Sequence, residues 1–317
     1  MLTGTALFLS SILTLAAIYA VIALALNLEA GVDGLWDLGV VSFVAVGAYT
    51  YTMLTVSPAS AGQSYIMGFG LPMWVGVLAA GIAGSIVAFL IGKPTLKLKN
   101  EYFLITTFAF AEVIRQILTN ERWLSNGVAG VYNLAQPFKT YFTPSVYPYI
   151  LLLLLVIIVF IVYVVVHRLT YSTFGRSLKA LRENEPLALT AGIRPDRFHI
   201  RAFVIAGFFA GTAGAFYVWY STVITPSLFT SDITFFVWMA IVIGGLANNK
   251  GAIVGSVIFV LAGESLRFLD LGSGFAVRMA SMKIAILGLI LIAILKWRPQ
   301  GILPEKKVKF SNSSKNS

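Results

Sequence analysis

Residues 171–192 read YSTFGRSLKALRENEPLALTAG and connect two of the longest apolar runs in the chain. Leu178 and Leu181 are three positions apart, so a helix would place both side chains on one face. Charged residues at steps of three and four from Arg176 would form another face, and Gly192 supplies a helix stop. The spacing therefore predicts a short amphipathic helix that is tethered at both ends. From these residues alone, docking on a soluble partner and a basic loop lying at the inner membrane surface are both open.

The composition indicates a membrane protein. Of 317 residues, 58% are hydrophobic and 11% are charged, which is too little polar surface to cover a globule. One helical span needs about 20 apolar residues. Nine apolar runs of roughly this kind occur, at 5–26, 37–56, 72–92, 102–119, 146–166, 199–220, 233–247, 252–269 and 276–296, and the run at 233–247 is the shortest. The predicted fold is an all-α polytopic membrane protein with nine transmembrane helices, in a range of about 8–10.

Lys and Arg predict the orientation, because positively charged loops stay on the cytoplasmic side. Loop 167–201 holds seven of these residues, whereas loops 57–71 and 221–232 hold none. This alternation predicts an N-terminus outside and a C-terminus in the cytoplasm, with Arg122 and Lys139 as exceptions. We expect one transmembrane domain over 1–304, with a cytoplasmic loop at about 167–199, and a polar cytoplasmic tail over 305–317.

The sequence offers no signature of catalysis. It has no cysteine, no phosphate-binding glycine loop, no Gly-x-Ser-x-Gly elbow and no HExxH motif. His167 and His199 lack carboxylates at metal-binding spacing. Basic residues are dispersed among loops, which argues against nucleic acid as a partner in spite of the net charge of +10. We expect no catalytic residue, no metal site and no cofactor bound by this chain, so any energy source lies on another protein.

Glycines interrupt the stretch NLEAGVDGLWDLGVVSFVAVGAY at 27–49. Broken helices at bilayer depth are tolerated only where they are buried in protein or line a cavity, so this stretch is a candidate wall of a substrate path. A loop followed by closely packed small residues is the alternative. Asp33 and Asp37 flank Trp36 and fit an interface belt as well as a site. The candidate path residues here are Asn27, Gly31, Gly34, Gly39 and Gly47.

Two more places contribute candidates for the path. Glu112 and Arg115 are three residues apart inside the fourth run, where ionisable groups are expensive unless paired or hydrated. A structural salt bridge between them is the alternative to a transport role. Gly244 and Gly245 lie at a membrane boundary and complete the set of candidates.

Four separated motifs together resemble the permease subunits of branched-chain amino acid ABC importers, of the type that works beside a second homologous permease. They are EYFLITTFAFAEVIRQILTN with NGVAGV, GRSLKALRENEPLALTAGI, VIGGLANNKGAIVGS and KWRPQGILPE, and the resemblance extends from Asn27 to Pro304. It implies that Gly175 to Gly192 forms the coupling helix that seats in a groove of an ATPase subunit. The implied coupling residues are Gly175, Arg176, Leu178, Arg182, Glu185, Ala188 and Gly192.

The resemblance also implies the partners. They are a second permease, two ATPase subunits that carry ATP and Mg, an extracytoplasmic binding protein and the bilayer of a bacterial inner membrane. Val32, Asp33, Trp36 and Asp37 depart from the family's usual serine- and glutamine-containing stretch, which leaves neutral or branched-chain amino acids, urea and short-chain amides open as ligands. An ion-coupled secondary transporter is the alternative class, although Glu112 and Glu264 offer little for an ion site.

Overall fold

The structure is a computed structural model that describes residues 2–58, 68–265 and 300–305, with residues 288–289, 292–293 and 296–298 between the last two ranges. Helices dominate these residues. In chain order they are α1 Leu2–Leu26, a π-helical segment Asn27–Asp33, α2 Val40–Thr55, α3 Met73–Thr95, α4 Asn100–Asn120, α5 Arg122–Ser125, α6 Tyr147–Tyr171, α7 Thr173–Glu183, α8 Glu185–Thr190, α9 Pro195–Ser221, α10 Ser231–Gly244 and α11 Asn249–Ser265. The described part contains no strand, only one isolated bridge between Val131 and Ile224. The expected all-α fold class is confirmed for these residues.

Eight of the nine apolar runs coincide with helices, and the ninth, at 276–296, lies largely outside the described residues. Six helical segments are long and apolar enough to cross a membrane, at Gly4–Asp33, Met73–Thr95, Glu101–Asn120, Tyr147–Tyr171, Pro195–Ser221 and Pro226–Gly244. The prediction of nine spans is therefore not confirmed. The second run shows one physical reason. The helix break before Val40 takes up the first residues of this run, so α2 has only 16 residues and is shorter than a typical span.

Close backbone contacts hold α2, α3 and α9 together. A Cβ on Gly47 of α2 would fall on the carbonyl oxygen of Gly211 in α9, and a Cβ on Gly84 of α3 would fall on that of Gly207. Small residues let helices in a membrane approach to backbone contact, which replaces the hydrophobic force that is absent in lipid. α1 packs beside this group and also contacts α6, α10 and α11.

The two ends of the bundle differ in charge and in the connections that lie there. One end, which we call the basic end, carries the α3–α4 connection, α7, α8, the α10–α11 turn and residues 300–305. The opposite end carries the long 121–146 connection, where Val131 and Leu134 bond to Ile224 and Thr222. Every described loop that the charge count assigns to the cytoplasm lies at the basic end.

Candidate functional site

The first span ends in a buried break at the basic end. Residues 27–33 form a π-helix in which every residue is buried, and Gly34 ends it with a φ of 86°. The chain then runs without helix to Gly39 before α2 begins. π-helical turns are rare and occur frequently at functional sites. The sequence correctly placed a helix interruption here, and the structure surrounds it with protein.

Asn27 ties this break to the turn between α10 and α11. Its Oδ1 accepts from the backbone N–H of Ala247 at 2.9 Å, and its Nδ2 donates to Oδ1 of Asn249 at 2.9 Å. Asn249 in turn donates to the hydroxyl of Thr170 in α6 at 3.2 Å. A Cβ on Gly31 would strike Asn27 and Ala247, so this junction leaves no room for a side chain there. The amides thus join three separate helices at one level.

Three carboxylic acids lie buried around the break. Glu29, Asp33 and Asp37 expose 0%, 2% and 0% of their surfaces. Nδ1–H of His199 donates to Oδ1 of Asp33 at 2.8 Å, and the N–H of Gly39 donates to Oδ1 of Asp37 at 2.7 Å. Neither oxygen of Glu29 has a hydrogen-bond partner among the described residues. No three His, Asp or Glu side chains within the described ranges converge to hold a metal ion.

Burial decides between the two interpretations of Asp33 and Asp37. Trp36 between them is 57% exposed and fits an interface belt, but the two acids do not. Trp238 reinforces the break by donating from Nε1 to the carbonyl of Asp37 at 2.7 Å. Glu29 is a buried acid that the sequence-based candidates above do not include, although Glu29, Asp33 and Asp37 recur at steps of four inside an apolar stretch. That spacing was the available signal, because it places all three on one helical face.

The remaining candidate glycines are packing positions in this chain. A Cβ on Gly39 would lie 2.6 Å from the carbonyl oxygen of Thr107, and one on Gly244 would fall on the carbonyl of Gly251. Gly245 has a φ of 117° and lies against the carbonyl of Leu303. The structure therefore gathers Asn27, Gly31, Gly34, Gly244 and Gly245 at the basic end and places Gly47 between α2 and α9. A role of these residues in a substrate path stays a prediction.

The stretch 171–192 contains two helices, α7 and α8, that have clear sequence signals at their ends. The hydroxyl of Ser172 accepts from the N–H of Gly175 at 3.4 Å, and Oδ1 of Asn184 accepts from Leu187 at 3.0 Å. These are N-caps of α7 and α8. At the far end, Gly192 has a φ of 83° and donates to the carbonyl of Leu189, as in the common glycine-ended motif. The predicted helix stop at Gly192 is confirmed. The prediction of one helix up to that stop is wrong, because α7 ends at Glu183 and the side chain of Asn184 begins α8 instead.

The predicted coupling residues divide into two groups. Leu178 and Ala188 expose 0% and 4% of their surfaces, so they hold the helices against the bundle and cannot contact a partner directly. Gly175 is also buried, since a Cβ there would strike the carbonyl oxygen of Thr170. Arg176, Glu185 and Gly192 are exposed and form the outer surface of the pair.

Arg182 points inward from α7, against the sequence-based assignment to a docking surface. Its Nη1 donates to the carbonyl of Gly31, and its Nη2 donates to Oε2 of Glu305 at 2.8 Å. Lys179 donates to Oε1 of Glu305 at 2.6 Å. Burial alone would raise the pKa of the Glu305 carboxyl, but the hydrogen bonds from Lys179 and Arg182 outweigh it and lower that pKa. The helical period identified the charged residues but not the direction in which each side chain turns.

Glu112 and Arg115 form the expected ion pair on α4. Nε of Arg115 donates to Oε2 of Glu112 at 2.9 Å, Nη2 bonds to Oε1, and Gln116 also donates to Oε1 at 3.1 Å. The side chains of Arg115 and Glu112 are 26% and 42% exposed, so the pair lies on the outside of this chain. Glu112 and Gln116 line a groove of about 490 Å³ together with Phe108, Val113 and Ile117.

Relatives of the chain are transport proteins. The high-affinity branched-chain amino acid transport system permease protein LivM of Salmonella typhimurium is 29% identical over 315 residues, which are 92% of this chain and 69% of that protein. LivM of Escherichia coli is 29% identical over 96% of this chain and 72% of its own length. The probable branched-chain amino acid transport permease protein LivH of Methanocaldococcus jannaschii is 27% identical over 74% of this chain and 75% of its own length. No solved structure matches the chain.

The family assignment covers almost the whole bundle. Residues 8–295 match the family of the branched-chain amino acid transport system, permease component. This range includes the broken first span, the α7–α8 pair and the polar face of α4. With six candidate spans in its described part, the chain belongs to the membrane-embedded permease components of branched-chain amino acid transport systems.

Proposed function

We propose that this chain is one of two homologous permease subunits of an ABC importer for branched-chain and other neutral amino acids. Two separate ATPase subunits bind ATP and Mg and drive it, and an extracytoplasmic binding protein delivers the substrate. The observation that carries the proposal is the exposed α7–α8 pair, which lies at the basic end and is bonded to the broken first span. The absence of a phosphate-binding loop from the sequence supports an ATPase on another chain.

The basic end faces the cytoplasm in this proposal. Its excess of Lys and Arg follows the positive-inside rule, and the described loops at the other end carry few positive charges. The N-terminus then lies outside, the C-terminus lies in the cytoplasm, and the membrane is a bacterial inner membrane. In this orientation, α7 and α8 are accessible to a cytoplasmic ATPase, and the 121–146 connection is accessible to a binding protein.

The second permease covers α4. Two of the candidate spans, α4 and α6, are largely exposed on the surface of this chain, but they expose different chemistry. α6 has a mean hydropathy of 3.5 and exposes side chains such as Ile157 and Phe160, which suit lipid. α4 has a mean hydropathy of 1.2 and exposes Glu112 and Gln116 near its middle. A charged group in contact with lipid costs about 3 kcal/mol on insertion scales, which favours a protein or aqueous neighbour for α4.

Reconstitution tests the function. The full-length chain is assembled with a second permease, ATPases and a binding protein in liposomes, and uptake of labelled leucine is measured with and without ATP. We expect uptake that requires ATP and every subunit, and no ATP hydrolysis by the chain alone. Uptake of urea or acetamide in preference to leucine would establish the amide alternative. Uptake driven by an ion gradient without ATP would establish a secondary transporter and overturn the proposal.

Crosslinking tests the placement of α4. The chain has no cysteine, so single cysteines at Val113 on α4 and Ile157 on α6 report on their surroundings without background. Both positions are exposed in this chain. We expect Val113→Cys, but not Ile157→Cys, to crosslink to cysteines on the second permease. Crosslinking only from Ile157 would place the second permease on the other face.

A further inference from the structure

We propose that Arg182 links movement of α7 to the broken first span, and that Glu305 holds Arg182 in place, so that both are positioning residues for transport. The proposal rests on the function proposed above, since it takes α7 and α8 as the element that the ATPase moves. Arg182 then acts inside the permease, whereas the sequence alone suggested that it lies on the docking surface.

Arg182 occupies the end of the broken helix. The last carbonyls of a helix have no partner within it, and Gly31 belongs to the last turn of the segment Asn27–Asp33. The guanidinium of Arg182 donates to that carbonyl. A cation at this position also interacts favourably with the negative end of the helix dipole. The contact therefore joins α7 to the terminus of the first span through a charge-assisted hydrogen bond.

Gly34 provides the space for this contact. A Cβ on Gly34 would lie 2.7 Å from Cγ and 3.3 Å from Cβ of Arg182, so the stem of the arginine lies directly on the glycine. The φ of 86° at Gly34 is a conformation that other residues rarely adopt. The residues after the break, up to Gly39, are not helical and can absorb a change of backbone angles. A displacement of Arg182 therefore acts on the first span at the point where its helix is already interrupted.

Glu305 occupies the other edge of the same guanidinium. It accepts from Arg182 at 2.8 Å and from Lys179 at 2.6 Å. The segment before it is fixed to α10, because the N–H groups of Ile302 and Leu303 donate to the carbonyls of Ile243 and Gly244, both at 2.9 Å. Residues 301–305 therefore act as a strap between α7 and the end of α10. An arginine is suited to this bridge because its planar group donates along two edges, whereas a lysine presents one point charge.

Movement of α7 as one body is favoured by its anchoring. Leu178 and Leu181 on its inner face are 0% and 4% exposed, and Arg182 follows directly on the same side. The side chain of Arg182 is 24% exposed, which leaves it little freedom to detach while α7 stays seated. A displacement of α7 therefore reaches Gly31 through one hydrogen-bonded contact.

The test compares transport with ATP hydrolysis in the same vesicles. The reconstituted importer carries wild-type chain, Arg182→Gln, Arg182→Lys, Glu305→Gln or Lys179→Gln, and leucine uptake and ATP hydrolysis are measured together. Lys179→Gln is the matched control, because it removes a bond to Glu305 without touching Gly31. For Arg182→Gln we expect the complex to assemble and hydrolyse ATP while uptake per ATP falls at least about tenfold, because the charge-assisted bonds to Gly31 and Glu305 are both lost.

Arg182→Lys retains the charge and is the second variant in case Arg182→Gln fails to assemble. We expect it to reduce uptake per ATP as well, because a lysine cannot bond to Gly31 and Glu305 at the same time. Glu305→Gln should give a smaller loss and Lys179→Gln almost none. An unchanged ratio in both Arg182 variants, or an equal loss in Lys179→Gln, would overturn the proposal and leave Arg182 as a packing residue. The proposed function is judged separately by the wild-type uptake.

Discussion

Asp33 and His199 lie 166 residues apart in the sequence, yet a 2.8 Å hydrogen bond between them joins α9 to the break in the first span. The side chain of Asp33 is fully buried and that of His199 is 14% exposed. No other span pairs an acid with a histidine within the described residues. This bond is one of the contacts that tie α9 to the residues where the first span stops and the chain turns toward α2.

We expect His199→Ala to destabilise the purified permease by about 1–3 kcal/mol, because it leaves the Asp33 carboxyl buried without its partner. Asp33→Asn combined with His199→Gln should recover part of this loss, since two amides can bond to each other. Thermal unfolding in detergent measures the difference. Equal destabilisation by the single and the double replacement would show that the contact does not support the break.

Gly47→Ala should loosen the bundle. A Cβ at this position would strike the carbonyl of Gly211 in α9, and overpacking of a close contact costs about 1–3 kcal/mol. Gly4→Ala is the matched control, because nothing lies within 4 Å of a Cβ there. Thermal unfolding of both variants checks the prediction. A loss at Gly4 as large as that at Gly47 would show that substitution of any helical glycine lowers stability.

Glu112 and Arg115 should behave as one unit. Replacing either alone leaves a charge in the middle of α4, at a cost of about 3 kcal/mol on insertion scales. Glu112→Gln or Arg115→Gln should therefore reduce the yield of the assembled permease pair more than the double replacement does. Glu101→Gln at the start of the same helix serves as the control. Additive losses in the double variant would mean that the two residues do not act as a pair.

The strap at 301–305 should weaken in acid. The pKa of Glu305 is lowered in the folded chain, so its contribution to stability is present above the ordinary pKa of a glutamate and is lost as the pH falls through the lowered value. Hydrogen exchange at the amides of Ile302 and Leu303, corrected for intrinsic rates, should therefore accelerate in strong acid. Glu305→Gln should exchange faster at neutral pH and lose this dependence. Identical acid profiles in both proteins would exclude Glu305 as the group responsible.

The sequence was sufficient for the parts of the fold that depend on local chemistry. Eight of the nine predicted apolar runs coincide with helices, because each run must satisfy its own backbone hydrogen bonds in a membrane. The stop at Gly192 followed from its neighbours along the chain. Two features were inaccessible because they depend on distant partners: the burial of Asp33 depends on His199, and the inward turn of Arg182 depends on Gly31. Helical periodicity gives the face of a residue, but not the element that lies against it.

The exposed surface of α7 and α8 should dock on an ATPase subunit. Arg176, Glu185 and Leu187 are exposed, and Glu185 also lines a groove of about 620 Å³ beside Lys97 and His199. Leu187 is 66% exposed although it is apolar, which suits a partner groove better than water. Charge reversal by Glu185→Arg should therefore lower leucine uptake by about tenfold, as expected for an interface charge that loses its partner, while the permease pair still assembles. Co-purification of the two permeases supplies the control for folding.

Cysteine labelling separates docking from contact with lipid. Cysteines at Arg176 and Leu187 should crosslink to the ATPase in the assembled complex, and the ATPase should slow their labelling by a membrane-impermeant maleimide. A cysteine at Tyr141, which is 80% exposed at the opposite end of the bundle, should be labelled equally with and without the ATPase. If α7 and α8 lie instead against anionic lipid, neutralising one charge removes about 1 kcal/mol of membrane affinity and leaves transport intact. In that case, labelling at Leu187 does not respond to the ATPase, and the α7–α8 pair is not a docking element.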